Sequence, residues 1–138
     1  MIIPNLMVTD MARSIAFYRD VIGMTVTMMI SANRQMLADG DGADAVFATL
    51  DWNGHQLMLQ TVDSLAGELP VFTAGQIPAA GGTIYLRGLH PNTVAGRVPD
   101  AAVVKGPFQQ WYGMHELYLR DPDGHILCLG AAEGTPPA

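Results

Sequence analysis

The chain has 138 residues, a length that suits one compact domain, and carries a formal charge of −6. Nothing so acidic can neutralise a run of phosphates, which excludes a nucleic-acid partner, and no apolar run is long enough to cross a bilayer, which excludes a membrane span. The lone cysteine, Cys128, excludes an internal disulfide, and the opening MIIPNLMVTDMARS lacks a basic stretch followed by an apolar one, so a cytoplasmic protein without a signal peptide is expected.

In chain order, Ile2 to Val8 alternate as a strand. Thr9 or Asp10 then caps a helix in which Met11, Ile15, Tyr18 and Ile22 recur at helical spacing, with Gly23 as its stop. Met24 to Ile30 make a second strand. AVFATLDWNGHQLMLQT holds two β-type runs around Asn53-Gly54, a strong hairpin signal. The stretch 64–82, rich in Pro, Gly and Ala, reads as a connection. The order then repeats: TIYLRG a strand, HPNTVAGRV a short helix, AAVVKG a strand, and WYGMHELYLR with HILCLG a closing hairpin. The division expected is one domain over 1–138, made of a first βαβββ module over 1–63, the connection over 64–82, a second module over 83–131 and a loose tail over 132–138.

Register assigns the faces. DPDG, Asp121 to Gly124, suits a type I turn closed by a left-handed glycine. It pairs Arg120 with Ile126, Tyr118 with Cys128 and Glu116 with Gly130, and gathers Leu117, Leu119, Leu127 and Leu129 on the opposite face. The Asn53-Gly54 turn likewise groups Ala48, Leu50, Leu57 and Leu59, with Phe47, Thr49, Asp51, Gln56, Met58 and Gln60 opposite. Leu6 and Val8 face the helix, leaving Ile3, Asn5 and Met7; Ile84 and Leu86 pack inward, leaving Thr83, Tyr85 and Arg87. One face is aliphatic. The other mixes amides, aromatics, Met and Arg, the composition of a ligand wall. An ordinary solvated sheet face is the alternative. Charged residues are 14% of the chain against ~25% in a typical soluble domain, which leaves extra apolar surface for a pocket or a partner subunit.

VTDMARSIAFYRDVIGM resembles the V-x-D…FY-x-D-x-(L/I)-G segment of the glyoxalase/bleomycin resistance protein/dioxygenase superfamily, and YGMHELYLRDPDGHILCLG is similar to its closing Y-G-x-x-E…D-P-D-G segment. The resemblance covers about residues 2 to 130. It implies an α+β fold of two tandem βαβββ modules whose curved mixed sheets form a cleft, in a homodimer. It leaves open whether clefts form within one chain or across the dimer. The scaffold hosts lyases, isomerases, dioxygenases and drug-sequestering proteins, so fold does not settle chemistry. In metal-dependent members His and Glu ligands project from the first and last strand of each module. The matching positions here are Ile3, Met58, Thr83 (or Ile84) and Cys128. That set cannot hold a divalent ion, so no metal and no cofactor are expected.

The expectation is therefore a metal-independent protein that binds or sequesters a small aromatic or cationic organic molecule. Its cleft would be lined by Asn5, Met7, Phe47, Thr49, Gln56, Met58, Gln60, Tyr85, Arg87, Trp111, Glu116, Tyr118 and Cys128. Trp111 and Phe108 have a competing role in dimer or core packing, and Glu116 a competing role as a strand-end carboxylate bonded to backbone or Arg120. Cys128 reads as a small buried hydrophobe, His125 as a surface residue, and His55 and His90 as loop residues. The alternative is a metal-dependent lyase or extradiol dioxygenase. A metal-free enzyme would use Glu116 or Asp51 as base with Arg87 or Arg120 near an anion, although no spacing argues for catalytic residues. A third reading is a structural or regulatory dimer with an unused cleft.

Overall fold

The computed structural model describes residues 1–38 and 40–132, so the tail expected over 132–138 falls outside the described residues except for Ala132, which ends the last strand. Two compact units divide the chain, Met1–Pro78 and Ala79–Ala138.

The first unit contains β1 (Asn5–Val8), α1 (Met11–Ala16) continuing as a π-helical turn (Phe17–Ile22), β2 (Thr25–Ser31), β3 (Ala45–Trp52), β4 (His55–Thr61) and α2 (Val62–Glu68). Its sheet has the order β1-β4-β3-β2, with β1 parallel to β4 and the other pairs antiparallel. The second unit contains β5 (Thr83–Arg87), α3 (Pro91–Val94), a 3-10 turn (Asp100–Ala102), β6 (Val103–Gln109), β7 (Met114–Arg120) and β8 (Ile126–Ala132), in the equivalent order β5-β8-β7-β6. Both are βαβββ modules with mixed four-stranded sheets.

Asp10 rather than Thr9 caps α1, its carboxylate accepting from the Arg13 N–H at 3.1 Å. Met11, Ile15, Tyr18 and Ile22 are all buried, as their spacing predicts, and α1 packs on β3 and β4. The Gly23 N–H bonds back to the Tyr18 carbonyl at 3.1 Å, five residues earlier, and Gly23 at φ 96° ends the helix where a Cβ would be strained.

Both predicted hairpin registers hold. Trp52 pairs with His55 and Leu50 with Leu57. Arg120 pairs with Ile126, Tyr118 with Cys128 and Glu116 with Gly130. Leu50, Leu59, Leu119, Leu127 and Leu129 are wholly buried, and each such side chain contributes about 1.5–3 kcal/mol relative to exposure. In the closing turn the Asp121 carboxylate accepts from the Asp123 and His125 N–H groups, each at 2.9 Å, and Gly124 has φ 89°. His125 is half-buried rather than fully at the surface.

Two readings change. The start of the expected connection is helical: Val62 and Leu65, one turn apart, bury against Met7 with Phe72 alongside. The glycines and prolines further on hid that short amphipathic turn. The last hairpin also begins later than expected. Residues Gln110 to Gly113 form the β6–β7 turn, closed by the Gly113 N–H on the Gln110 carbonyl at 3.0 Å, with Gly113 at φ 91°.

Candidate functional site

In the first unit, Asn5, Phe47, Met58 and Gln60 line a single pocket of ≈ 670 Å³, together with Arg34, Ser64 and Glu68. Period-2 strands place the four on one face: Asn5 pairs with Met58, and Phe47 with Gln60. The Asn5 amide donates to the Gln60 side-chain oxygen at 3.0 Å. The Gln60 amide nitrogen donates to the Ser64 hydroxyl at 2.9 Å and to the Glu68 carboxylate at 3.2 Å. Gln60 is buried and its amide is engaged on both sides, so it fixes the pocket floor, while Asn5 and Arg34 stand exposed at the rim.

The other predicted residues of this unit lie elsewhere. Met7 is taken up in the cluster with Val62 and Leu65. Thr49 is buried, and Gln56 is exposed near the hairpin tip. A second hollow of ≈ 710 Å³ near the starts of α1 and α2 carries Asp10, Asp44 and Asp63. Asp10 is the helix cap and Asp63 accepts from the Gly75 N–H at 3.1 Å, so two of its three carboxylates already serve the backbone.

In the second unit, Glu116 is fully buried. Its Oε2 accepts from two phenols, Tyr85 and Tyr112, each at 2.6 Å. Its Oε1 is also buried and accepts no hydrogen bond within the structure. Burial pushes the carboxyl pKa up, yet the Tyr112 and Tyr85 hydroxyls outweigh it, aided by the nearby Gln110 side chain and the Lys105 charge. The net direction is downward, so Glu116 is an anion. Tyr112, bonded to Glu116, has its phenol pushed up to about 12. Burial and the same carboxylate hold the Tyr85 phenol far above its ordinary value.

Tyr118 lies beside this cluster, stacked on Phe108 with ring centroids 6.3 Å apart. Cys128 is wholly buried, and burial raises its thiol pKa to about 11, so it is an inert hydrophobe at neutral pH. Arg87 is exposed at the end of β5, beside a small hollow of ≈ 260 Å³. Trp111 was expected in a strand lining the cleft. It sits instead on the β6–β7 turn, 92% exposed, against the edge of Tyr112. Glu116 bonds to tyrosines rather than to Arg120 or backbone. His90 lies in the loop before α3, as expected, and is buried there as the helix cap, its Nδ1 accepting from the Asn92 N–H at 3.1 Å.

Sequence reasoning missed Tyr112, Arg34, Ser64 and Glu68. The first was hidden by taking WYG as strand; the pair Ser64 and Glu68, four apart on α2, was hidden by reading that stretch as connection. No local signal marks Arg34, which has φ 65° in a short turn.

The four positions that the family resemblance assigns to an ion carry little that could hold one. Ile3, which precedes β1 rather than lying in it, offers no donor, Met58 a thioether, Thr83 a hydroxyl and Cys128 a protonated thiol. Among the described residues no group of three or more His, Cys, Asp and Glu side chains is placed to bind a metal.

Two βαβββ modules, each with a mixed four-stranded sheet and a buried aliphatic face, define a tandem-module α+β protein. The sequence matches the Glyoxalase/Bleomycin resistance protein/Dioxygenase superfamily over residues 3–129, and the chain belongs to it. Among solved structures, it is similar to a glyoxalase/bleomycin resistance protein/dioxygenase from Nocardioides, with 16% identity and a TM-score of 0.65 over 99% of this chain and 85% of that one. A family enzyme from Burkholderia phytofirmans shares 17% identity at a TM-score of 0.66, over 94% of this chain and 96% of its own. A protein of unknown function from Agrobacterium tumefaciens shares 20% identity at a TM-score of 0.69, over 96% and 93%. At these identities the likeness establishes the fold alone. No curated protein gives a significant match. No helix among the described residues is long and apolar enough to cross a membrane.

Proposed function

We propose that this chain is a metal-independent protein that binds a small organic molecule, in the manner of sequestering members of its superfamily, as a cytoplasmic homodimer. One observation carries the reading: the four positions that the family resemblance assigns to an ion hold Ile3, Met58, Thr83 and Cys128, a poor donor set. A superfamily lyase or dioxygenase needs two or three protein ligands with an open position, and these side chains do not supply them. What remains is a pocket floored by the fixed Gln60 amide with Phe47 and Met58 on the first unit, and an aromatic face around a carboxylate on the second. Apolar bulk with few oriented polar groups is the composition of a small-molecule site.

The test is a thermal-shift screen of planar aromatic, cationic and neutral compounds on the purified chain, with hits confirmed by calorimetry. A binding protein shows at least one compound that raises the melting temperature in proportion to the logarithm of its concentration. A screen without a single saturable hit at millimolar concentration overturns the proposal. Sedimentation tests the dimer independently.

A further inference from the structure

We propose that the first-unit pocket takes a bipolar organic molecule, with a carboxylate at one end and an ammonium at the other end of a flat apolar body, Arg34 receiving the acid and Glu68 the amine. This deepens the small-molecule reading above and rests on it.

The two charges enter the pocket from opposite sides. Gln60, Phe47 and Ile30 form one row across β4, β3 and β2, and all three line the pocket. Glu68 is tied to the β4 end of that row, its Oε2 accepting from the Gln60 amide at 3.2 Å, and the helix that carries it packs on β4 and β1. Arg34 belongs to the turn that follows β2, its N–H donating to the Ser31 carbonyl at 3.0 Å. Neighbouring strands lie about 4.8 Å apart, so the two ends of the row stand roughly 10 Å from each other, with Phe47 between them.

Neither charge is consumed by the protein. The Arg34 guanidinium makes no hydrogen bond or ion pair among the described residues, and the Glu68 carboxylate has only the bond from Gln60, which leaves Oε1 open. The Gln60 amide hydrogens are both committed, to Ser64 and to Glu68, so Gln60 positions the carboxylate and does not compete for a ligand. Arg34 and Glu68 are exposed and line the same cavity, so a ligand reaches both without opening the fold. The Arg34 backbone adds to this. Its φ of 65° is a left-handed conformation that favours Gly or Asn, yet a long cation occupies it.

The space between the charges is apolar. Ile30, Phe47 and Met58 line it, and the Phe47 ring suits an offset stack with a flat ligand. The volume of ≈ 670 Å³ falls within the ~300–1,000 Å³ of small-molecule sites. A simple acid or a simple amine of the same size satisfies one charge only. A bipolar molecule satisfies both.

The experiment is calorimetry on the intact chain with 4-(aminomethyl)benzoate. The comparators are 4-methylbenzoate, which lacks the ammonium, benzylammonium, which lacks the carboxylate, and phenylalanine, which carries both charges at one end. The bipolar compound is expected to bind at least about fivefold tighter than each of the three, the effect of one well-placed exposed charge pair. Arg34→Met lowers its affinity to about that of benzylammonium. Glu68→Gln, which keeps an oxygen for the Gln60 amide, lowers it to about that of 4-methylbenzoate. Arg19→Met, an equal loss of charge at an exposed residue outside the pocket, leaves the affinities unchanged. The site is overturned if the bipolar compound does not bind at millimolar concentration or binds no tighter than any comparator. It is equally overturned if Arg34→Met or Glu68→Gln binds it as the unaltered chain does, or if Arg19→Met weakens it as much as Arg34→Met. If other compounds in the wider screen still bind, small-molecule binding survives that result; if none does, both proposals fall together.

Discussion

The Tyr85 ring lies across the face of Gly130. A Cβ built on Gly130 would stand 2.6 Å from Tyr85 Cζ and nearer still to the phenol oxygen, so the glycine is what lets the ring reach over β8 to Glu116 on β7. Gly130 pairs with Glu116 in one direction and Arg87 with Gly130 in the other, which makes it the notch between the phenol and its acceptor. Gly130→Ala should therefore displace Tyr85 and cost about 1–3 kcal/mol in denaturant unfolding, the usual range for overpacking. In a Tyr85→Ala background the same substitution should cost far less. An additive pair of effects would show that the two residues are not coupled.

The tyrosine–carboxylate cluster has a pH signature at both ends. The Glu116 pKa is lower in the folded protein than its ordinary 4.5, so its contribution to stability is whole above pH 4.5 and is lost as pH falls through the folded value. Tyr112 behaves in the opposite sense. Its phenol is raised from 10.0 to about 12, so its contribution is whole below pH 10.0 and is lost as pH rises toward 12. Tyr112→Phe should flatten the alkaline loss and also weaken the acid one, because Glu116 then keeps only one phenol. Unfolding free energies across pH provide the measurement, and an unchanged alkaline limb in Tyr112→Phe would contradict the assignment.

Cys128 should be unreactive in the native state. It is wholly buried and its thiol pKa is raised to about 11. A disulfide reagent at pH 8 should label it at well under about a tenth of the rate seen after denaturation, since both access and thiolate fraction are low. Prompt native-state labelling would show that the strand opens or that the thiolate is stabilised.

Gln60 should matter more than its exposed neighbours. It accepts from Asn5 and donates to Ser64 and Glu68, so Gln60→Leu removes three bonds and leaves the Asn5 amide without that partner. The expected cost is about 1–3 kcal/mol in unfolding, with weakened binding of any compound that uses the first-unit pocket. Gln56→Leu, on an exposed residue near the hairpin tip, should change stability by under about 0.5 kcal/mol.

What was legible in the sequence follows from period and turn chemistry. Four leucines fall on one side only in the correct register of the last hairpin, and a one-residue slip would expose them, so that register was decidable from letters. The same logic placed Asn5, Phe47, Met58 and Gln60 on one face. What escaped was contact between side chains distant in sequence. Glu116 was seen as a cavity-facing carboxylate, but its partners lie 31 residues away on another strand and 4 residues away in a turn. Nothing in a period-2 pattern encodes how far a tyrosine ring reaches. Trp111 was misplaced because an aromatic pair reads as strand, and only Gly113 after it signals the turn. Met7 shares the face of Asn5, yet the short helix from Val62 covers it, and that helix was masked by the glycines around it.

Binding without a metal ion, as proposed for this superfamily member, is most sharply checked by elemental analysis of protein purified without chelators, combined with calorimetry on a confirmed ligand before and after chelator treatment. Divalent metal far below one ion per chain is expected, with ligand affinity unaltered by the chelator. A stoichiometric ion whose removal abolishes binding would contradict it.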